Sequence, residues 1–242
     1  MKNIFCIILL MSRLWVYGQQ EIKDEYEFPV KPGSKEWIQL ESIQKCIEVS
    51  QMPDEALVKI STADLLETCL KFPFLINIFF YDNYQQGFER MTSQFNGFGE
   101  LFKRPDLIDA LLNKYKNLRS DVKTIRLQKD VEQGGFTFRQ FVLEFILAQD
   151  VVVNNLSAVQ EKELFLLSNE LKQIKNDYSD VYGNWHVIPI NLLYIKKAVN
   201  TTGFIFESEA QRKGMSAFIQ APTLIEQQQI KNIEDYVNAK YK

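Results

Sequence analysis

Ser34, Ser61, Thr137 and Ser157 each stand immediately before a stretch in which apolar residues recur at every third or fourth position. A hydroxyl at such a place accepts a hydrogen bond from a backbone N–H of the first helical turn, and the spacing gathers the apolar side chains on one face. Those two signals together predict amphipathic helices, and they repeat along most of the chain. The expected fold class is all-α, an array or bundle of short amphipathic helices.

Ser34 starts a predicted helix carrying Trp37, Leu40, Ile43 and Ile47 on one side. Pro53 fits a helix first turn, where a missing N–H costs nothing. Ser61 opens a helix over 62–71 that buries Leu65, Leu66, Cys69 and Leu70, and Pro73 ends it. The aromatic-rich stretch 74–104 reads as three short helices, broken at Asp82-Asn83 and Asn96-Gly97, with both asparagines as caps. Pro105 opens a helix to 118 with Ile108, Leu111, Leu112 and Tyr115 inward.

The helical period then lapses over 120–136, where Gly134-Gly135 marks a turn and 124–128 suits a short strand. Thr137 caps a helix to 149 with Phe138, Phe141, Val142, Phe145 and Ile146 inward. Ser157 caps the longest, to 178, on Leu164, Leu167, Leu171, Ile174 and Tyr178. Helices over 189–200, 208–219 and 223–241 follow, the first ended by Gly203 and the last built on Leu224, Ile230, Ile233 and Val237.

Residues 63–71 align with 105–113 at an offset of 42, a period found in HEAT or armadillo helical repeats. Any two amphipathic helices opening with an acid look alike, so closed bundle and open repeat both remain open.

The amino terminus has its own signature. Lys2 precedes an uninterrupted apolar run from Ile4 to Met11, and Gly18 offers a small residue for cleavage, the pattern of a secretory signal. Arg13 interrupts the run well short of the roughly 20 apolar residues that a spanning helix needs. The expected organisation is a signal at 1–18, an extended leader at 19–33, an N-terminal helical unit at 34–119, a linker at 120–136 and a C-terminal helical unit at 137–242 packed with the first. No integral membrane span is expected after cleavage, and the protein is expected in the periplasm or cell envelope, or secreted.

Loss of Lys2 and Arg13 with the signal takes the formal charge from −3 to −5. A nucleic-acid binder shows a basic face or a high isoelectric point, and the sequence pI is near 5.4. Nucleic acid is therefore not an expected partner.

His186 is the only histidine, within Gly183-Asn184-Trp185-His186, and no Cys-x-x-Cys supplements it. A zinc site of several histidines is ruled out. The chain also lacks the Gly-x-Ser-x-Gly elbow, and Gly97-Phe98-Gly99 lacks the third glycine and preceding strand of a dinucleotide fingerprint. No catalytic residue, metal or cofactor is predicted. Cys46 and Cys69 fall on apolar helix faces, as a disulfide or as buried thiols. Carboxylates such as Asp106 with Asp109 and Glu161 with Glu163 would serve a glycosidase only at a hydrolytic separation, and solvated helix faces explain them otherwise.

The most distinctive words are 81–88 and 95–100. Their rings and amides either line a groove for a peptide or glycan or fill a helix-junction core. The candidate binding residues are Tyr81, Tyr84, Gln85, Phe88, Asn96 and Phe98. With 57–70, these words resemble a group of exported bacterial helical proteins without an established activity, over about residues 29–119. That resemblance implies secretion and a bacterial envelope setting, and brings no catalytic residue. The leading expectation is a non-catalytic helical interaction module for a protein, peptide or envelope component. A carboxylate-dependent glycan-active enzyme near Trp185 or His186, and a structural envelope subunit, are the alternatives.

Overall fold

The computed structural model describes residues 25–241 apart from 126 and 202, with the backbone alone described at 119, 120, 122 and 123. The signal reading at 1–18 lies outside the described residues. The chain is all-α: 13 α-helices pack against one another and no strand occurs among the described residues. In order they are α1 (Lys35–Ile38), α2 (Ile43–Val49), α3 (Asp54–Lys59), α4 (Thr62–Cys69), α5 (Tyr84–Ser93), α6 (Asn96–Leu101) and α7 (Leu107–Ile125). There follow α8 (Asp130–Leu147), α9 (Asp150–Val153), α10 (Ala158–Asp177), α11 (Ile188–Asn200), α12 (Glu209–Gln220) and α13 (Gln227–Tyr241). Short 3-10 turns at Leu75–Phe79 and Asn184–Val187 join α4 to α5 and α10 to α11.

Local chemistry sets many of the helix starts. The hydroxyl of Ser61 accepts from the Asp64 N–H at 3.1 Å, and the Asn83 side chain accepts from the Gln86 N–H at 2.9 Å. Ser157 and Gln160 form a full capping box, which satisfies two otherwise orphaned N–H groups. The Ser208 hydroxyl caps α12 by accepting from the Gln211 N–H at 3.0 Å.

Elsewhere the helices depart from the sequence expectation. The helix expected from Ser34 is two, because Ser42 makes a second cap for α2 and leaves Ile43 69% exposed. Helix α7 runs on to Ile125, past the expected end at 118, and helix resumes at Asp130. The expected strand at 124–128 is thus absent, and a turn at Leu127 and Gln128 joins two helices. Gly134 and Gly135 lie inside α8, where each costs about 1 kcal/mol relative to alanine. Burial of Phe141, Val142, Phe145 and Ile146 further along the same helix outweighs that cost, at about 1.5–3 kcal/mol per large side chain. Thr137 is accordingly interior to α8, its hydroxyl donating back to the Gly134 carbonyl at 3.2 Å rather than capping. The last helix begins at Gln227 and leaves Leu224 exposed.

Packing closes into a circuit. Helix α7 lies against α8 and α10, α8 against α11, α11 against α13, and α13 against α10. Helices α4 and α6 pack together, and α4 also packs on α7. The two segments of the 42-residue alignment therefore touch, and the Thr62 hydroxyl donates to Asp106 at 2.6 Å. One apolar core runs from Phe28 to Tyr241. The described part of the leader docks on it: Phe28 lies 5.7 Å from Phe95, and Glu25 pairs with Lys71. Among the described residues, no helix is long and apolar enough to cross a membrane.

Candidate functional site

The six candidate residues do not share one surface. Phe88 and Phe98 are buried, with Phe88 5.2 Å from Phe145 and Phe98 6.0 Å from Phe95. Tyr84 is half-buried and rests edge-on against Phe79 and Phe141. Asn96 is not a helix cap: its carbonyl oxygen accepts from the Met52 N–H at 3.0 Å, and its amide donates to the Met52 carbonyl at 2.7 Å. It ties α6 to the loop before α3. Gln85 bonds to Gln149 at 3.1 Å, and Tyr81, four positions earlier, is half-buried. Only Gln85 and Phe88 come together, at a pocket of about 420 Å³ closed on one side by the Lys196–Asp150 ion pair.

A buried polar centre occupies the inside of the helix circuit. Glu144 of α8 and Lys175 of α10 are both out of solvent and bond at 2.6 Å. The Tyr115 hydroxyl of α7 donates to Glu144 at 3.0 Å, and the Tyr182 hydroxyl donates to Gln140 at 2.6 Å. Burial lowers the Lys175 pKa even against the attraction of Glu144, and it raises both tyrosines, helped by the same carboxylate. Sequence reasoning missed this pair. The available signal was a glutamate inside the apolar run Val142-Leu143-Glu144-Phe145-Ile146. Enclosure gives the pair a structural rather than substrate-facing position.

His186 sits in the second 3-10 turn, 7% exposed, with Nδ1 on the Gly183 carbonyl. Its Nε2 has no partner among the described residues. Burial moves its pKa down to about 4, with Lys175 and Lys172 adding repulsion. Trp185 is packed between Phe79 and Phe141.

The carboxylates singled out in the sequence tie helices together. Asp106 accepts from Thr62, Asp109 accepts from Gln160 at 2.7 Å, Glu161 pairs with Lys197, and Glu163 pairs with Lys116 at 2.5 Å. Cys46 and Cys69 are separate buried thiols, and burial pushes the Cys69 pKa up. Among the described residues, no group of three or more His, Cys, Asp or Glu could hold a metal.

A larger concavity than the one beside Gln85 and Phe88 lies elsewhere. A groove of about 720 Å³ runs along the α4–α7 seam past Ala63, Ala110, Asn113 and Lys116. A cleft of about 300 Å³ between α4, α7 and α8 has Leu70, Leu118, Phe136 and Leu143 among its walls and Arg139 at its edge. Glu67, Lys114 and Asp121 line both, and Lys114 pairs with Glu67 between them. The two openings therefore form one concave surface crossed by an ion pair. No protein-family model, curated protein or solved structure matches this chain.

Proposed function

We propose that this is an exported, non-enzymatic helical protein that binds an extended peptide segment of a partner along the α4–α7 groove. The observation that carries the reading is the continuity of that polar groove with the apolar-walled α4–α7–α8 cleft across the Lys114–Glu67 pair. Polar side chains along a groove can satisfy a peptide backbone, while a neighbouring apolar recess takes one anchoring side chain and supplies most of the energy. Export is the part of the proposal supported by the Lys2 and Ile4 to Met11 pattern.

The test is selection from a displayed peptide library against the chain beginning at Gln20. Selected peptides should share one large apolar residue and lose binding to an Asn113→Trp variant, since Asn113 is exposed and lines the groove. Phe136→Ala should weaken them by removing cleft wall. Peptides retained equally by both variants would place recognition elsewhere and overturn the reading.

A further inference from the structure

On α10, Asn169, Gln173 and Asn176 follow one another at helical spacing along one face, and all three line a pocket of about 390 Å³. The opposite wall is α13, which presents Gln227 and Asn238. Volume is in the range of small-molecule sites, roughly 300–1,000 Å³, although such sites are usually mostly apolar. Here the lining is dominated by carboxamides. The pocket shares no lining residue with the α4–α7 groove or the adjoining cleft.

Its chemistry is specific in kind. Each carboxamide offers both donors and an acceptor, and the side chains of Asn169, Gln173 and Asn176 make no hydrogen bond among the described residues. The charges at the pocket cancel, because Lys172 pairs with Glu234, whose other oxygen accepts from Gln227. Both charged side chains are largely buried, at 11% and 14% exposure. The Tyr194 hydroxyl donates to Asn238 at 3.3 Å, and a phenolic oxygen that donates can also accept. Its ring is engaged edge-on with Phe165 and is not offered for stacking.

A balanced charge selects against phosphate, carboxylate and ammonium ligands alike, and a row of amides selects against apolar ones. What matches is a neutral molecule whose every edge both donates and accepts. We infer that the α10–α13 pocket binds a neutral mono- or disaccharide, held by the carboxamides of Asn169, Gln173 and Asn176 against the Lys172–Glu234 pair. Ring hydroxyls have the same dual hydrogen-bonding character as the amides. Lack of a stacking face makes the site one for hydroxyl edges rather than for the apolar face of the sugar.

The side-chain amide signals of the three residues give a direct reading by nitrogen-15 NMR. Glucose, galactose, N-acetylglucosamine, maltose and chitobiose would each be titrated into the labelled chain. At least one is expected to shift the Asn169, Gln173 and Asn176 signals saturably. A Gln173→Leu, Asn176→Leu double variant should then weaken that sugar by roughly tenfold or more, and because both positions are exposed, its urea midpoint should not move. No saturable shift with any of the sugars overturns the inference. So does a shift that persists unchanged in the double variant, or one produced by N-acetyl-trialanine amide and by none of the sugars.

Discussion

Glu144 and Lys175 lie 31 positions apart in sequence and meet as an ion pair with neither side chain in contact with solvent. The arrangement holds α8 to α10 at the centre of the circuit of helices, with Tyr115 bringing in α7. Desolvating two charges cancels much of their attraction, so such a pair contributes little net stability, whereas removing one partner strands the other. Lys175→Met alone, or Glu144→Leu alone, should cost about 3–5 kcal/mol. The double replacement should recover most of that loss. Urea unfolding of the three variants measures it, and additive losses would show that the pair is not coupled.

Gly87 is where α5 rests on the first 3-10 turn. A Cβ added there would run into the Ile78 carbonyl, which is backbone and has no room to move aside. Gly87→Ala should therefore destabilise by about 1–3 kcal/mol, as overpacking does, despite alanine's better helix propensity. Gly134→Ala provides the contrast, because the same added atom meets open space inside a helix and should stabilise by about 0.4–1 kcal/mol. Thermal melts of the two variants should move in opposite directions.

Asn96 joins two segments through bonds to Met52 and Gln51. In Asn96→Ala the Met52 N–H and carbonyl lose their partner, which should cost about 1–3 kcal/mol. Asn83→Ala removes only a helix cap and should cost about 1 kcal/mol. Equal losses at the two asparagines would contradict the assignment of different roles.

These two asparagines show where the sequence is informative. Ser61, Asn83 and Ser157 were readable as caps because the bond each makes closes within three residues of itself. Asn96 offers the same residue type before the same kind of helix, yet its partners are 44 and 45 positions away, and no local pattern points to them. The same limit applied at 120–136. Periodicity there looked broken because Gly134 and Gly135 carry no side chains to mark a face, while packing further along α8 kept the backbone helical. The candidate site was less legible still. Aromatic density at 81–98 marked a core, and the groove took its shape from α4, α7 and α8, elements that the sequence identified singly but not as neighbours.

His186 supplies the pH dependence that follows from the fold. The ring is packed beside Tyr182, its Nε2 has no partner among the described residues, and Lys175 and Lys172 of α10 oppose a positive charge on it. Its native pKa of about 4 lies below the ordinary value of 6.5. The unfolded chain therefore binds more protons between those values, so the contribution to stability is fully present above about 6.5, is lost as the pH falls, and levels off below about 4. Other groups titrate in the same range, and a His186→Asn variant separates them. Urea midpoints of the two proteins should differ most near neutrality and converge as the pH falls through that window. A difference that stays constant with pH would mean that the imidazole is as easily protonated in the fold as out of it, and the packed 3-10 turn would then have to open without loss of stability.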